Sequence, residues 1–369
     1  MSRTHDARRR TLLAVIRALL LVLVAGLLPL LGTSSTSTSA DGGTSDAASR
    51  VASGADLRLV ARTRGPAADM AQLRRELRTS LRRADRGRGI PPRTQPRLQK
   101  LRQNKWNGPA RCTADPGETT ADICALGDLD GDRTVVLLGD SHLNMWIRGI
   151  QRPAREAGIR LLPIIKFGCP PYELRMWRFD LGPWEECFTW REWAHEQIEQ
   201  IRPDVVVTSG HRNFTMSRDG ETTPMPEDER DQAFLDGVSE TIERLQDSAG
   251  RVVVLGDINY LKEDPVKCLK RKRASMRRCE SPVTADTRHH NEILATAVAQ
   301  APSRLFDPPV DFHDPNDLIC LRGRCPILAN LTYMYFDFFH VSRTWSKHVG
   351  PLLAPQIGIA PREPGGLLS

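Results

Sequence analysis

The stretch from Val135 to Trp146, VVLLGDSHLNMW, constrains the fold more than any other part of the chain. Four apolar residues run directly into Gly-Asp-Ser-His, and apolar side chains then recur at helical spacing. This pattern is typical of a buried parallel strand that leads into a helix. Ser141 would then lie between a strand end and a helix start, where open α/β sheets bind ligands. Taken alone, the stretch fits equally well an ordinary β-turn-α connection with a serine N-cap.

Further apolar runs alternate with helical patterns along the rest of the chain. Strands are predicted over 135–138, 160–165, 204–208 and 251–255, with a weak fifth over 304–306, and helices over 144–157, 190–201, 229–245, 285–299 and 342–353. Strands separated by helices at this rhythm predict a parallel sheet with helices on both faces. We therefore expect an α/β fold, a three-layer α/β/α sandwich with a parallel sheet of about five strands.

The N-terminus indicates export. Three arginines, residues 8–10, precede an apolar run over 11–32 that only Arg17 interrupts. The core of the run fits a signal peptide, whereas the whole run is about long enough to cross a bilayer. Because positive charge stays on the inner side, we expect the chain beyond residue 32 to be extracytoplasmic. The prediction is a single-pass cell-membrane protein with 1–32 as a signal anchor, or a secreted protein if 1–32 is a cleaved signal peptide.

Composition divides the remainder of the chain. Residues 33–93 are predicted to be a flexible linker that contains a basic helix over 68–86. That helix has a thin apolar stripe, which we expect to pack on the globular domain rather than on a membrane surface. The globular domain is predicted over 94–355, and a disordered tail over 356–369.

The cysteines support export as well. They fall into four local pairs, namely Cys112 with Cys124, Cys169 with Cys187, Cys268 with Cys279, and Cys320 with Cys325. An even number of cysteines in an exported chain indicates disulfides. The competing interpretation is zinc, but the ligand spacing of zinc sites is absent. We therefore expect four short-loop bridges and no metal.

The net charge of +7 and the isoelectric point near 9.1 allow several classes of anionic partner. An excess of positive charge is compatible with binding to nucleic acid, to an anionic membrane surface or to an anionic polymer. No nucleic-acid-binding fold is recognisable, so we expect no nucleic-acid partner. A basic segment over 262–278 stands out, and an anionic surface polymer is one candidate for its contact partner.

A second polar motif supplies the groups that Ser141 lacks. A serine hydroxyl becomes a good nucleophile only when a base takes its proton and a third group orients that base. Asp337 and His340 stand three residues apart in Asp-Phe-Phe-His, just before a predicted helix. This spacing lets the carboxylate reach the imidazole. By itself the segment also fits a helix-capping aspartate and an interior histidine, but its pairing with Gly-Asp-Ser favours catalysis.

Together the two motifs resemble those of the SGNH (GDSL-like) hydrolase superfamily. GDSH at 139–142 matches the first block of that superfamily, and DxxH at 337–340 matches the last. The LLGDSH turn, GCPP at 168–171, the paired cysteines before DxxH and the HVS at 340–342 are closer to one branch. That branch is the extracytoplasmic SGNH domain of membrane-bound O-acyltransferases acting on cell-surface glycans. The resemblance, from Thr94 to Leu353, implies a flavodoxin-like fold with Ser141 as nucleophile, His340 as base and Asp337 as its orienting carboxylate.

The resemblance also implies an oxyanion hole. In the superfamily, the N–H of the serine, a glycine after the second strand and an asparagine after the third bind the oxyanion. Ser141, Gly168 and Asn213 occupy those places here. Asn213 lies one residue further along than the usual GxN spacing, so the third donor is Asn213, His211 or neither. Gly168 also fits a plain turn residue.

Several other polar residues are set aside. Asp257 follows a strand in a second Leu-Gly-Asp, but no nucleophile comes after it. His142 follows the nucleophile directly, and because adjacent side chains diverge at a helix start we assign it no proton transfer. His289 and His290 are adjacent in a helical pattern and point in different directions, so a shared metal is not expected.

The predicted function is serine-dependent acyl transfer on O-acyl esters of extracytoplasmic glycans, with no metal or organic cofactor. The resemblance favours an O-acetyltransferase. That role would need a separate multi-span membrane acyltransferase as partner to deliver the acyl group. The first alternative is a secreted carbohydrate O-acyl esterase, in which water accepts the acyl group. The second is a non-catalytic envelope glycan-binding module, against which the presence of Ser141, Asp337 and His340 counts.

Overall fold

The secondary structure comes from a computed structural model that describes residues 66–361, apart from residues 180, 219 and 303–307. The helices are α1 (Pro66–Asp85), α2 (Ser141–Glu156), α3 (Glu185–Ile201), α4 (Arg230–Gln246), α5 (Pro265–Leu269), α6 (Met276–Cys279), α7 (Ala285–Gln300) and α8 (Arg343–Gln356). The strands are β1 (Thr113–Ala114), β2 (Leu126–Gly127), β3 (Arg133–Gly139), β4 (Ile159–Lys166), β5 (Met176–Arg178), β6 (Gly182–Pro183), β7 (Val205–Ser209), β8 (Thr215–Met216), β9 (Val252–Leu255), β10 (Ser281–Pro282), β11 (Val310–His313), β12 (Arg324–Cys325), β13 (Leu328–Ala329) and β14 (Thr332–Tyr333).

The central sheet has six parallel strands in the order β1-β4-β3-β7-β9-β11, and β2 pairs antiparallel with β4. Val135 of β3 lies opposite Val205 of β7, and Gly139 lies opposite Ser209. Strands β3, β7 and β9 therefore end at the same edge of the sheet. Residues that directly follow these three strands are brought close together, although they are far apart in the chain.

Side chains of β3 alternate between two hydrophobic layers. Val135 and Leu137 face a layer that includes residues of α1, α2 and α8. Val136 and Leu138 face a second layer that includes residues of α3, α4 and α7. Apolar residues on both faces are a requirement of a buried parallel strand. The predicted three-layer α/β/α sandwich is thus confirmed.

The sheet is larger than the predicted five strands. β1 and β2 have two residues each, which is too short for a recognisable apolar period. The weak strand expected over 304–306 falls among residues that the structure does not describe. The strand that pairs with β9 is β11, whose residues are all half-buried and include Asp311 and His313. A half-polar edge strand gives little hydrophobic signal, and β11 was therefore not predicted.

Helix α1 is part of the packed protein. Leu73 and Leu77 are buried in the same core layer as α2 and α8. The hydroxyl of Ser80 also donates a hydrogen bond to the backbone carbonyl of Leu328. The apolar stripe of this helix is therefore covered by the globular domain. The predicted signal anchor over 1–32 lies outside the described residues, and within residues 66–361 no helix combines the length and the apolarity that a membrane crossing requires.

Helices α2 and α8 cross at two glycines. A Cβ atom placed on Gly149 of α2 would lie 2.1 Å from the backbone oxygen of Ser346, and one on Gly350 of α8 would lie 2.2 Å from the oxygen of Gly149. Only glycine allows two helix backbones to approach this closely. The contact holds together the helix that begins at Ser141 and the helix that begins three residues after His340.

All eight cysteines of the chain form disulfides, so the predicted local pairs are confirmed. The bridges are Cys112–Cys124, Cys169–Cys187, Cys268–Cys279 and Cys320–Cys325. Disulfides of this number form and persist in oxidising compartments, and they indicate an extracytoplasmic location.

Candidate active site

The site begins where β3 passes into α2. Gly139 ends the strand, and a Cβ atom there would lie 2.2 Å from the backbone oxygen of Ser209 on β7. Asp140 caps the helix by accepting a hydrogen bond of 2.8 Å from the N–H of His142. Ser141 is the first residue of α2, so its backbone N–H belongs to the group of helix N–H donors that have no partner within the helix. The predicted strand–turn–helix is observed.

The structure brings Ser141, His340 and Asp337 together. Nε2 of His340 lies 2.9 Å from Oγ of Ser141, and Nδ1 of His340 lies 2.7 Å from Oδ2 of Asp337. The other oxygen of Asp337 accepts hydrogen bonds from the backbone N–H groups of Phe339 and His340 at 2.9 and 2.7 Å. The carboxylate is thereby fixed against the imidazole. A hydroxyl, an imidazole and a carboxylate in this order form the geometry of an activated serine nucleophile.

The environment of His340 keeps the imidazole neutral. Burial lowers the pKa of His340 below its ordinary value, and the hydrogen bond to Asp337 only partly opposes this effect. The ring stacks on Phe336, with ring centres 5.2 Å apart, and Phe339 lies against it at 4.1 Å. A neutral imidazole can accept a proton, so the apolar surroundings prepare His340 to act as a base near neutral pH.

A cleft of about 530 Å³ opens over these residues. Its lining residues are Lys105, Trp106, Asn107, Ser141, Asn144, Met145, Phe167, Gly168, His211, Asn213, Phe336, Asp337, Phe338, Phe339 and His340. Eight of these residues are polar, and five of the other seven are aromatic. A cleft of this size and composition suits a small organic group attached to a larger molecule.

All the candidate oxyanion donors reach this cleft. Gly168 lines it with a φ of +74°, a backbone conformation that favours glycine. Asn213 and His211 line it as well. The N–H and Nδ1 of His211 both bond to Oδ2 of Asp140, at 2.9 and 2.5 Å, so Nε2 is the only nitrogen of His211 outside this pair. The assignment of donors stays a prediction.

The bond between Asp140 and His211 is one of two buried carboxylate–imidazole pairs beside the catalytic residues. Burial alone would raise the pKa of Asp140, but the charge and hydrogen bond of His211 lower the pKa overall. Burial alone would lower the pKa of His211, but the charge and hydrogen bond of Asp140 raise it overall. Both pKa shifts favour the ion pair between Asp140 and His211. This pair ties the end of β7 to the turn that carries Ser141.

The second pair joins His142 to Asp257. Nδ1 of His142 lies 2.5 Å from Oδ1 of Asp257, and both side chains are fully buried. The other carboxylate oxygen accepts a bond of 3.0 Å from the backbone N–H of Arg212. The pKa of Asp257 lies well below its ordinary range because the charge of His142 and the hydrogen bond from it outweigh the effect of burial.

Sequence reasoning set both members of this second pair aside. No nucleophile follows Asp257 in the chain. The role of Asp257 in the site is instead that of a buried carboxylate that binds His142. The available signal was positional, since Asp140, His211 and Asp257 come one or two residues after β3, β7 and β9. Polar residues after neighbouring parallel strands meet at one edge of a sheet.

The adjacent histidines of α7 separate as expected. His289 is exposed and lies 2.7 Å from Asp231, whereas His290 is buried and stacks on Phe234. Burial lowers the pKa of His290 to about 4. Among the described residues, no group of three or more histidines, cysteines or carboxylates is arranged to hold a metal ion.

The comparison with protein families identifies the class. The family described as "SGNH domain (fused to AT3 domains)" matches residues 111–355, and the chain belongs to this family. The match includes both motifs around Ser141 and His340. No curated protein matches the chain.

Several solved structures are similar to parts of the chain, and two of them illustrate the likeness. One is the periplasmic domain of a lipopolysaccharide acetyltransferase from Salmonella ser. Paratyphi A, with 13% identity and a TM-score of 0.48, covering 62% of this chain and 85% of that one. The other is a carbohydrate esterase family 2 enzyme with a carbohydrate-binding domain from Corynascus thermopiles (Myceliophthora fergusii). It has 12% identity and a TM-score of 0.34, covering 65% of this chain and 67% of that one.

Proposed function

We propose that the protein performs serine-dependent acyl transfer on O-acyl esters of extracytoplasmic glycans. The observation that carries the proposal is the continuous chain of hydrogen bonds from Asp337 through His340 to Ser141. Membership of the SGNH family and the four disulfides support it. We also propose that residues 1–32 anchor the chain in the membrane.

The first half of the reaction transfers the acyl group to the enzyme. Oγ of Ser141 attacks the acyl carbonyl while Nε2 of His340 takes the hydroxyl proton. The tetrahedral intermediate then breaks its bond to the departing alcohol oxygen, which receives that proton from His340. An acyl-serine remains, and Asp337 stabilises the imidazolium that exists between the two proton transfers.

The second half of the reaction regenerates the free serine hydroxyl. Water or a sugar hydroxyl attacks the acyl-serine while His340 takes its proton, and the proton passes to Oγ of Ser141 as the acyl bond to serine breaks. In both halves the oxyanion would accept hydrogen bonds from Ser141 N–H, Gly168 and Asn213. Each hydrogen-bond donor that is already in position for the oxyanion contributes about 3 kcal/mol to catalysis.

The acceptor decides between two enzymes. We favour an O-acetyltransferase with a sugar hydroxyl as acceptor and a separate multi-span membrane protein as acyl donor, because the matching family is described as fused to AT3 domains. An esterase is the second candidate, since His340 and Asp337 retain some exposure to solvent and water can reach the site.

The test measures release of 4-nitrophenol from 4-nitrophenyl acetate, with and without an oligosaccharide acceptor, and acyl label on Ser141 by mass spectrometry. We expect acetyl-Ser141 in the native protein and a loss of turnover on the order of 10³-fold or more in Ser141→Ala. Ser239→Ala, on α4, is the control and should keep full activity.

Each outcome has a distinct meaning. An acetylated sugar identifies the transferase, and hydrolysis at one rate with or without the oligosaccharide identifies the esterase. Failure of Ser141 to acquire label, together with unchanged turnover in Ser141→Ala, would overturn the serine mechanism. A protein that binds oligosaccharide but never turns over would instead be a glycan-binding module.

A further inference from the structure

The segment from Lys262 to Arg278, here called the basic loop, carries nearly all the excess charge of the protein. It contains eight lysines or arginines and two carboxylates, a net charge of +6, whereas the whole chain has +7. The charges of the rest of the chain therefore nearly cancel. A concentration of one sign of charge in a single loop creates a local field that attracts anions.

The basic loop is held in place by its apolar side. The disulfide Cys268–Cys279 closes it, and Val266, Leu269 and Met276 are buried in the core. All eight cations, in contrast, are exposed, namely Lys262, Lys267, Lys270, Arg271, Lys272, Arg273, Arg277 and Arg278. The loop thus presents a fixed basic surface.

Part of that surface forms a groove of about 1120 Å³ that borders the catalytic cleft. It is lined by Lys262, Glu263, Asp264, Lys267, Arg271, Arg277, Arg278 and Phe338. Phe338 also lines the catalytic cleft and directly follows Asp337. The backbone N–H of Leu261 donates a bond of 2.7 Å to the carbonyl of Phe338, which fixes the start of the loop to the catalytic segment.

The two carboxylates of the groove are already paired. Glu263 lies 2.5 Å from Arg271 and 4.0 Å from Lys267. Asp264 lies 3.0 Å from Arg102, outside the groove.

Three cations of the groove have no such partner. Within residues 66–361, as far as they are described, no carboxylate lies within 4.0 Å of Lys262, Arg277 or Arg278. Arginine binds carboxylate oxygens through paired N–H donors, and exposed arginines without a carboxylate partner are suited to an external anion. Arg278 keeps donors for such an anion beside the bond of 3.1 Å that it gives to the backbone carbonyl of Arg273.

We propose that this groove binds carboxylate-bearing sugar units of an acidic glycan while the acylated unit lies in the catalytic cleft. The inference rests on the proposed acyl-transfer function and names the substrate class for it. A glycan chain can run from the cleft past Phe338 to the basic loop, because Phe338 lines both the cleft and the groove. The exposed ring of Phe338 lies at the junction, where a sugar ring can stack on it.

The test is direct binding of fluorescent oligogalacturonate to the full-length protein, measured by fluorescence anisotropy at low and at high salt. We expect binding that weakens with salt, because the cations are exposed. The double variant Arg277→Gln/Arg278→Gln should bind about tenfold more weakly. Lys272→Gln/Arg273→Gln removes the same charge from the same loop outside the groove, and it should change affinity less than threefold or so. Thermal unfolding checks that both variants are folded.

Several results would overturn the proposal. One is that a neutral xylo-oligosaccharide binds as tightly as oligogalacturonate. Another is that both double variants lose the same affinity for oligogalacturonate. A third is that single-stranded DNA or anionic phospholipid vesicles bind as tightly as oligogalacturonate does. Hydrolysis of 4-nitrophenyl acetate by the native protein is measured in parallel. Hydrolysis without oligogalacturonate binding refutes the groove alone, and binding without hydrolysis refutes the acyl-transfer function alone.

Discussion

The imidazole of His142 lies 4.9 Å from that of His340, centre to centre, although the two histidines bind different carboxylates. One is the proposed catalytic base, partly exposed at the cleft, and the other is fully buried behind it. His142 is bonded to Asp257 and packs against the ring of the base. The buried pair therefore forms part of the wall that holds His340 in position.

The pH dependence of activity should follow His340. Its pKa lies below the ordinary 6.5 because of burial, and only the neutral imidazole can take the proton of Ser141. We expect kcat/KM to rise with pH, to reach half its maximum below pH 6.5, and to be level from about pH 7 to 8. Initial rates with 4-nitrophenyl acetate check this. A midpoint above pH 6.5 would show that the environment of His340 acts in the opposite sense.

Asp337→Asn should lower kcat by about three to four orders of magnitude. The amide can no longer stabilise the imidazolium or fix its tautomer. Because the hydrogen bond to Asp337 raises the pKa of His340, its loss should also move the midpoint of the pH profile to lower pH. Asp231→Asn, at an exposed pair with His289, is the matched control and should leave both quantities unchanged. Equal activity of the two variants would contradict the assigned role of Asp337.

Asp257→Asn should destabilise the protein by about 3–5 kcal/mol, because it removes a fully buried carboxylate that is bonded to His142 and to the N–H of Arg212. The free energy of unfolding from urea titration measures this change. Asp231→Asn removes an exposed pair and should cost less than about 1 kcal/mol. If the two variants are equally stable, the bond between His142 and Asp257 contributes nothing to folding.

The same pair predicts how stability changes with acid. The folded pKa of Asp257 is lowered, so its contribution is present above the unfolded value near 3.8 and is lost as the pH falls below it. The native protein should therefore lose more stability between about pH 5 and 3 than Asp257→Asn does. Parallel slopes of the free energy of unfolding against pH would contradict this prediction.

Gly149→Ala should reduce activity although Gly149 is remote from the nucleophile. Gly149 lies eight residues after Ser141 in the same helix, which is about 12 Å along the helix axis at a rise of about 1.5 Å per residue. The added methyl group overlaps the backbone of Ser346 and must push α2 from α8, which separates the serine from its base. We expect a loss of about 1–3 kcal/mol of stability and a larger effect on kcat than on KM. Gly117→Ala, in open space, is the control and should change neither.

The sequence predicted those parts of the site that depend on local pattern. The strand, turn and helix around Ser141 follow from the pattern of neighbouring residues, and Asp337 reaches His340 across one turn of chain. The bonds Asp140–His211 and His142–Asp257 depend instead on the order β3-β7-β9, which joins residues 71 and 115 positions apart. Apolar periodicity carries no information about which strands become neighbours.

The edge strands of the sheet, β1 and β11, were not predicted for a different reason. β1 is two residues long and directly follows Cys112 of a bridged pair, so its pairing depends on the closed loop rather than on its own residues. β11 was not predicted because its alternation of polar and apolar residues is too short to distinguish from a loop. Core strands are recognisable from their unbroken apolar runs, and edge strands of this kind are not.

The disulfides have a consequence for how the protein responds to its surroundings. Their partners are only 12, 18, 11 and 5 residues apart, so every bridge closes a local loop and none ties one side of the sheet to the other. One of them begins at Cys169, next to Gly168 in the cleft. Reduction would therefore remove four local constraints, among them the one beside the rim of the cleft and the one that closes the basic loop, without breaking any covalent link across the sheet.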